Sequence, residues 1–329
     1  MKKKIVCIGG GNGTSQVLKG LRSYPVEVTG IIGVTDSGRS TGKARILANI
    51  PAPGDIRNAL ISLSGVEEFI RNAFQFRFKS ERLPDYDGMA LGNLFIAALS
   101  QMTGSFEKAV EQTSKLLKVR GSVLPIMIQS THIACERTDG TIDVEEINVR
   151  RVGKAPIKRL FLTDSSASLH PKARVAIQNA DIITIGPGSL FTTIIGCLLT
   201  PGLKDALSHT QAKVVFLMNT TSQSGQTEGY SVENHFTTLC SYLAKNTIDI
   251  CLVNNKKPSE KQLEKLAFEG TTYLPLTRLD IKKMKGMVNL IQEDLIEKPH
   301  AQRSLWNKQD TICHDPQKVA KSLMRLLKK

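Results

Sequence analysis

The chain has 329 residues, of which 41% are hydrophobic and 22% charged. This composition excludes extended disorder and is sufficient for one large or two ordinary folded domains. With 44 Lys and Arg against 30 Asp and Glu, the formal net charge is +14. A surplus of this size indicates an anionic partner, and charge alone leaves nucleic acid, phospholipid and a small phosphorylated ligand open.

The sequence predicts neither a signal peptide nor a membrane span. Three lysines precede the first apolar run, but the run is short and glycines follow at once. Residues 182–203 carry no charge over a membrane-spanning length, yet Gly-Pro-Gly interrupts them, which favours strand, turn and helix. The six cysteines lack CxxC spacing, and four of them lie in apolar runs. We therefore expect a reduced, cytoplasmic protein without membrane insertion.

Strands and helices alternate along most of the chain. We predict strands at residues 3–8, 26–34, 181–185, 213–218 and 248–253. The predicted helices cover residues 14–22, 54–64, 66–76, 91–102, 106–117, 189–199, 230–244 and 259–267. Such strand–helix–strand units pair in parallel through right-handed crossovers. The pattern therefore predicts a single α/β unit over residues 1–329, Rossmann-like and doubly wound, with a mostly parallel sheet.

Two regions depart from this alternation. Short alternating strands around Asp139-Gly140 predict a small β-rich insert over residues 119–165. The last region, residues 281–329, holds eleven Lys and Arg against five Asp and Glu and ends in an amphipathic basic pattern. We expect a helix there and assign the region no ligand.

A glycine-rich loop follows the first predicted strand directly and precedes a helix. Its members are Gly9, Gly10, Gly11, Asn12, Gly13 and Thr14. Glycines let backbone N–H groups approach a phosphate, and a helix N-terminus favours negative charge. The strict dinucleotide fingerprint fails, because Thr14 occupies the position of its last glycine. The loop therefore predicts phosphate binding, with an unliganded tight turn as the alternative.

A second polar loop follows the second strand. It comprises Asp36, Ser37, Gly38, Arg39, Ser40, Thr41, Gly42 and, beyond Lys43, Arg45. The spacing approaches that of an NTPase P-loop, but Arg39 replaces the required lysine and the preceding segment is a strand, so we exclude that class. The loop is suited to bind phosphate through its hydroxyls and Arg45, or a divalent cation through Asp36. Alternatively, Asp36 only caps the following helix.

The remaining candidates lie at other strand and helix ends. Gly186, Gly188 and Ser189 form a third strand-to-helix loop in which we predict Ser189 as the N-cap. Other candidates lie at the start of two further predicted helices or at the end of a strand: Asp55, Arg57, Asn58, Gly92, Asn93 and Asn219. Each of these is also an ordinary capping or turn residue. The histidines, His314 among them, show no ligand-like spacing, and we treat them as structural or surface residues.

In their order along the chain, these motifs resemble the YvcK/CofD family. The match is closer to the YvcK branch, the bacterial gluconeogenesis factors, than to the phospholactate transferases of deazaflavin-coenzyme synthesis. The resemblance implies a Rossmann-like fold and a nucleotide diphosphate ligand, which is a UDP-sugar in the YvcK branch. In the transferase branch it implies a guanine nucleotide-activated acid and a divalent metal such as Mg²⁺. It further implies that the loops and polar islands line one site, and it suggests a dimer.

Some positions depart from the family pattern, notably Asn12, Ser37, Arg39, Met89 and Gln226. A carboxylate and a histidine are absent where family members often have them, which weakens acid–base or metal-assisted chemistry. Phosphate binding through backbone N–H groups tolerates such changes better. We therefore expect a UDP-sugar-binding regulatory protein of carbon metabolism and cell-envelope synthesis. The alternatives are a phospholactate-transferase-like enzyme using Mg²⁺ and a nucleic-acid-binding protein, the latter supported by charge alone.

Overall fold

The computed structural model describes residues 2–268, 271–298 and 312–328. The strands of these residues are β1 (Lys4–Gly9), β2 (Glu27–Ile32), β3 (Ser122–Pro125), β4 (Ile133–Arg137), β5 (Ile142–Val144), β6 (Ile157–Leu162), β7 (Ile182–Ile185), β8 (Lys213–Leu217), β9 (Ile250–Asn254) and β10 (Asn289–Glu293).

The helices of the same residues alternate with these strands. They are α1 (Gly11–Leu21), α2 (Arg39–Ala48), α3 (Gly54–Leu63), α4 (Glu68–Gln75), α5 (Leu91–Thr103), α6 (Phe106–Leu116), α7 (Glu146–Val149), α8 (Pro171–Gln178), α9 (Gly196–Leu198), α10 (Leu203–Ser208), α11 (Val232–Ser241), α12 (Glu260–Phe268), α13 (Arg278–Met284) and α14 (Pro316–Leu326). A π-helical segment, Leu190–Ile195, leads directly into α9.

Seven strands form a parallel sheet in the order β10-β9-β8-β7-β1-β2-β3. Its central strands β1 and β7 are apolar and almost fully buried, as expected when helices cover both faces of a parallel sheet. The register places Ile8 between Ile31 of β2 and Ile185 of β7. The predicted doubly wound α/β fold is confirmed.

The chain leaves β1 toward β2 on one side, and returns later through β7 on the other side. The loops that follow β1 and β7 therefore diverge from neighbouring strand ends. In open α/β sheets this switch point forms a crevice at the carboxyl edge of the strands, where ligands bind. The topology therefore predicts a ligand-binding site in this crevice.

The segment 119–165 divides between two sheets. Its first strand, β3, pairs in parallel with β2 and completes the edge of the main sheet, with Val123 beside Gly30. The remaining strands form a separate antiparallel sheet in the order β5-β4-β6, to which α7 is attached. The predicted β-rich insert is therefore present as a smaller lobe that begins after β3.

A buried arginine organises this lobe. Arg137 is 1% exposed and donates from Nε to the Asp143 carboxylate at 2.6 Å. Its other nitrogens donate to the carbonyl oxygens of Ala155 at 2.6 Å and Val149 at 3.0 Å. Because Val149 ends α7, the guanidinium connects that short helix to the sheet of the lobe.

The described part of the basic C-terminal region belongs to the fold. Strand β10 extends the main sheet beside β9, and α14 packs on α1 through Val319, Ala320 and Leu323 on its buried face. The amphipathic helix predicted there is therefore present. None of the helices in the described ranges has both the length and the apolar character that crossing a membrane requires.

Candidate functional site

A cleft of about 290 Å³ lies at the switch point. The sites predicted from sequence that line it are Gly10, Gly11, Asn12, Gly13, Asp36, Asp55, Asn58, Gly188, Ser189 and Asn219. Further lining residues are Gln16, Gly33, Thr35, Glu146, Arg150, Pro187, Thr192, Thr193, Thr220, Thr221, Gln223, Ile312, Cys313 and His314. Segments far apart in the chain thus converge on one cavity.

The glycine loop forms the floor of the cleft and the first turn of α1. The helix begins at Gly11, earlier than the predicted residue 14, because the glycines themselves adopt its first turn. Gly10 is extended and caps the helix, and the N–H of Gly11 donates to the carboxyl group of Asp55. Gly11 has a φ of +62°, which favours glycine. The other N–H groups of this first turn belong to a helix N-terminus, which is suited to bind an anion.

The loop after β7 faces this floor at very short range. The hydroxyl of Thr14 donates to the carbonyl oxygen of Pro187 at 3.3 Å, and a β carbon on Gly13 would overlap the same oxygen. On the far side, the N–H of Gly188 donates to the side-chain oxygen of Asn219 at 3.3 Å. Two glycine loops and the end of β8 are therefore joined into one wall.

Ser189 differs from its predicted role as a side-chain N-cap. It stands at the cap position of the π-helical segment but makes no capping hydrogen bond. Its hydroxyl instead donates to Gln226 Oε1 at 2.8 Å and accepts from Thr192 at 2.8 Å. The buried Gln226 therefore holds the cleft-lining hydroxyl, and this tertiary bond replaces the local cap.

Three carboxyl groups line the cleft, with Asp55 beside the glycine loop and Asp36 next to Glu146. Asp36 accepts from the N–H of Gly38 at 2.8 Å and is hydrogen-bonded to Glu146, which the lobe contributes through α7. Burial, followed by the charge of Asp36, raises the pKa of Asp55 to about 7, although the N–H of Gly11 donates to it. Burial also raises the pKa of Glu146. Both pKa values are raised because burial and the nearby charge of Asp36 disfavour the ionised forms of Asp55 and Glu146.

The carboxyl groups are the candidate ligands for a divalent cation in the cleft. Among the described residues, no three His, Cys, Asp or Glu side chains are placed to hold a metal ion on their own. Mg²⁺ commonly takes one or two carboxylates and completes its shell with phosphate oxygens and water. Asp36 and Glu146, which lie next to each other, are oxygen donors of that kind.

The cationic side chains of the second loop bond to main-chain carbonyl groups. Arg45 is buried and donates to the carbonyl oxygens of Asp36 at 3.2 Å and Thr131 at 2.7 Å. Lys43 donates to the carbonyl oxygens of Pro84 at 2.9 Å and Asp85 at 2.7 Å. These two cations position the second loop and its surroundings instead of lining the cleft.

A buried polar network lies behind the cleft. Arg57 donates to Asn93 and to Asn58, each at 3.0 Å, and burial lowers its pKa to about 10. Asn93 in turn donates to the hydroxyl of Ser40 at 3.0 Å, which joins α3, α5 and α2. Ser37 connects the second loop to the lobe, since its hydroxyl accepts from the N–H of Ile147.

The predicted residues that do not line the cleft are Gly9, Thr14, Ser37, Gly38, Arg39, Ser40, Thr41, Gly42, Arg45, Arg57, Gly92, Asn93 and Gly186. Several of them shape the loops through close contacts. A β carbon on Gly42, for example, would overlap the carbonyl oxygen of Ser37. Arg39 is exposed and has a φ of +45°.

Two groups of residues that line the cleft were not predicted from the sequence. Glu146 and Arg150 come from the lobe and form an ion pair at 3.0 Å. Ile312, Cys313 and His314 come from the C-terminal region, to which we assigned no ligand. Asp315-Pro316 is a recognisable helix start, and Asp315 caps α14. This dipeptide predicts where the helix begins, but it does not predict that the residues before the helix line the cleft.

His314 is a buried residue of the site, and our interpretation of it as structural or surface is incomplete. Its side chain is 6% exposed, and burial lowers its pKa to about 4. The segment is held by a bridge between His314 and Ile296 and by a hydrogen bond from the Thr220 hydroxyl to the carbonyl oxygen of Ile312.

Comparison with known proteins supports the resemblance seen in the motifs. The family model described as 2-phospho-L-lactate transferase CofD matches residues 5–296. The gluconeogenesis factor of Bacillus subtilis is 37% identical over 328 residues, covering 99% of each chain. That of Halalkalibacterium halodurans is 38% identical over 268 residues, covering 82% of each.

A solved structure shows the same architecture. The crystal structure of a UPF0052 family member from Bacillus halodurans superimposes with a TM-score of 0.90 at 34% identity. The alignment covers 98% of this chain and 100% of that chain. The fold described above is therefore the fold of this group of proteins.

Proposed function

The chain belongs to the CofD family, and from this membership and the cleft we propose that it binds a nucleoside diphosphate sugar of the UDP-sugar type. We further propose that the bound nucleotide regulates carbon metabolism and cell-envelope synthesis, and through the latter cell shape. The observation that carries the binding proposal is the apposition of two glycine loops, 10–13 and 187–189, across the cleft.

The support for a diphosphate ligand is mainly a matter of backbone chemistry. The first turn of α1 provides the N–H groups of a helix N-terminus, of which that of Gly11 is bonded to Asp55, and the macrodipole of the helix adds positive potential at the same place. The polar side chains of Asn58 and Thr193 and the guanidinium of Arg150 line the same cleft. A phosphate chain placed here is neutralised by dipoles and by one guanidinium, in keeping with the small number of cationic side chains that line the cleft.

Calorimetric titration with UDP-N-acetylglucosamine tests the proposal. We expect saturable binding to the wild-type protein and at least tenfold weaker binding to Gly188→Ala. The nearest atoms to a β carbon at this position are in Thr193 at 3.4 Å and the carbonyl oxygen of Gly10 at 3.6 Å, so the fold accepts it while a methyl group enters the space between the loops.

Gly196→Ala is the matched control. A β carbon there meets its neighbours at 3.6–3.8 Å, and Gly196 does not line the cleft. Its affinity should equal that of the wild type. Absence of heat and of a thermal shift with the wild-type protein would contradict the proposed function.

A transferase activity is the second candidate, favoured by the three carboxyl groups beside the proposed phosphate position. Asp36 and Glu146 would hold Mg²⁺, which supplies charge neutralisation when bound. Asp55, with a pKa of about 7, is suited to accept a proton from an attacking hydroxyl group. Turnover of a nucleotide-activated phosphorylated acid with Mg²⁺, lost in Asp36→Asn, would establish this candidate; no turnover with any acceptor would dismiss it.

We also propose that the protein is a cytoplasmic homodimer. Support for the dimer comes from apolar side chains on α5 and on the two helices that contact it, α2 and α4: Ile46 is 86% exposed, Phe69 78% and Met102 79%. Such a group of apolar side chains is typical of a protein contact surface. Light scattering should give twice the chain mass for the wild type and the monomer mass for Phe69→Asp.

A further inference from the structure

A second cavity lies at the edge of the main sheet opposite the cleft. Its volume of about 490 Å³ is within the range of about 300–1,000 Å³ that is usual for small-molecule sites. Lys213, Ile250 and Asn289, which are the first residues of β8, β9 and β10, line it, whereas the cleft lies at the carboxyl ends of the strands. The nucleotide proposed for the cleft does not account for this cavity.

Two lysines supply the cationic side chains of the second cavity. Nζ of Lys213 donates to the carbonyl oxygen of Leu326 at 3.4 Å, and Leu326 itself lines the cavity. The ammonium group is therefore at the wall, and two of its three hydrogens remain for other acceptors. Lys245 is exposed and, within the described ranges, makes neither an ion pair nor a side-chain hydrogen bond. Two ammonium groups on one cavity favour an anion, and lysine is a common ligand of phosphate.

Asp249 adds a carboxylate to the same cavity without cancelling these charges. One of its oxygens accepts from the N–H of Val214 at 2.8 Å, which fixes the side chain at the start of β8. The other oxygen and the exposed amide of Asn289 are available hydrogen-bonding groups on the cavity. Carboxylate and amide groups bind hydroxyl groups well. The lining thus combines a net positive charge with partners for hydroxyl groups.

The remaining lining narrows the class of anion. None of the described residues that line this cavity is aromatic, so it provides no ring on which a nucleobase would stack. The exposed side-chain amides of Gln211 and Asn246 provide further donors and acceptors. A non-aromatic anion with several hydroxyl groups therefore matches the lining better than a nucleotide does.

We propose that this cavity binds a sugar monophosphate. The phosphate group is held by Lys213 and Lys245. Hydroxyl groups of the sugar bind to Asp249 and Asn289. This inference is independent of the proposed nucleotide binding, because it concerns a different cavity.

Strand β8 separates the two cavities. Lys213 begins this strand and Asn219, which lines the cleft, follows its end. The five residues of the strand span roughly 16 Å. A sugar monophosphate and a ligand in the cleft are therefore expected to bind at the same time.

Calorimetric titration with glucose 6-phosphate, glucose and inorganic phosphate tests the proposal. Glucose 6-phosphate should bind saturably to the wild-type protein, and the other two at least about tenfold more weakly, since each makes only part of the contacts. Lys245→Gln should weaken binding of glucose 6-phosphate about tenfold or more, the worth of a hydrogen bond to a charged group. Lys204→Gln is the matched control: it removes the same charge from an exposed lysine of α10 that does not line the cavity, and it should bind like the wild type.

Asp249→Asn tests the contact with the sugar. The amide oxygen of the new side chain can still accept from the N–H of Val214, but the anionic acceptor for hydroxyl groups is lost. The preference for glucose 6-phosphate over inorganic phosphate should therefore shrink. An unchanged preference would overturn the role of Asp249.

The outcomes separate this inference from the proposed function. Absence of binding of glucose 6-phosphate by the wild type overturns the inference, and this result requires no variant to fold. Equal affinity for inorganic phosphate, or an equal loss in Lys204→Gln and Lys245→Gln, also overturns it, since either would mean an unspecific response to charge. Arg150→Gln, altered in the cleft, should bind glucose 6-phosphate like the wild type; weaker binding would assign the sugar phosphate to the cleft. None of these results bears on the titration with UDP-N-acetylglucosamine.

Discussion

The α carbon of Gly13 and the carbonyl oxygen of Pro187 approach so closely that a β carbon on Gly13 would overlap that oxygen. The two residues belong to loops that leave neighbouring central strands of the sheet. This contact fixes the distance between the first turn of α1 and the second glycine loop. The width of the cleft therefore depends on the absence of one side chain.

We predict that Gly13→Ala both destabilises the protein and abolishes nucleotide binding. The added methyl group meets main-chain atoms, which move only with their loop, and overpacking of this kind costs about 1–3 kcal/mol. Chemical denaturation measures the loss of unfolding free energy, and calorimetry with UDP-N-acetylglucosamine measures the binding. Gly196→Ala, whose β carbon makes ordinary contacts, should change neither by much. A Gly13→Ala protein with wild-type stability would show that the loops separate freely.

The raised pKa of Asp55 predicts a pH dependence of affinity. Below a pH of about 7 the carboxyl group is protonated and neutral, and above it the group is an anion on the floor of the cleft. In the absence of divalent cations, affinity for UDP-N-acetylglucosamine should fall by up to about tenfold between pH 6 and pH 8. Calorimetry across this range measures it, and the diphosphate of this ligand does not itself titrate there. Asp55→Asn should flatten the profile; a decline that persists in this variant would assign it to another group.

The raised pKa of Asp55 also predicts how the free energy of unfolding changes with pH. The folded-state pKa of about 7 lies above the ordinary value of 3.8, so between these values the folded protein binds more protons than the unfolded chain. Stability contributed through Asp55 is therefore lost as pH rises from about 4 to about 7 and stays constant above. Denaturation of Asp55→Asn, compared with the wild type at pH 5 and pH 8, should show the variant gaining relative stability at the higher pH. Equal differences at both pH values would contradict the shift.

The positions of the cationic side chains predict which of them contact the ligand. Arg150 lines the cleft, whereas Lys43 donates to two main-chain carbonyl groups outside it. Arg150→Gln should weaken binding of UDP-N-acetylglucosamine about tenfold or more, the worth of a hydrogen bond to a charged group. Lys43→Gln serves as the control and should bind normally. The reverse ranking in calorimetry would mean that the second loop rearranges around the ligand.

The buried ion pair of the lobe predicts a large cost for one substitution and a small cost for another. Arg137→Met leaves two carbonyl groups without their donor and Asp143 with Lys154 as its remaining partner, and each buried acceptor left unpaired costs about 1–3 kcal/mol. Arg159→Met removes a guanidinium from the same small sheet, but this side chain is 65% exposed and its pairing with Glu136 is worth at most about 1 kcal/mol. Thermal or chemical unfolding of both variants measures the difference. Similar losses in the two would contradict the organising role of Arg137.

Much of the fold was predictable because it depends on local patterns. The apolar runs of β1, β7, β8 and β9, each followed by a turn and a helix, predict a parallel sheet without any knowledge of contacts. Glycine loops after β1 and β7 meet because parallel strands end at the same edge. This geometry is why the two glycine loops were expected at one site although they are far apart in the chain.

The remaining features depend on side-chain directions and long-range pairing, which local patterns do not reveal. Arg45 has the residue type of a phosphate ligand, but its guanidinium points to carbonyl groups of its own loop and of Thr131. The sequence pattern predicts strand β3 as part of the lobe, but the strand joins the edge of the main sheet. His314 lacks any spacing motif, because its place in the cleft follows from how β10 and α14 position the segment before it.

The cleft is assembled from segments that the ribosome delivers at very different times. Gly10 and its neighbours are made early, but Pro187 and Asn219 come much later, and His314 follows only after β7, β8, β9 and β10 have been made. Because a domain folds as a unit, the early glycine turn has no opposing wall until most of the chain has been synthesised. The cleft is therefore completed near the end of synthesis.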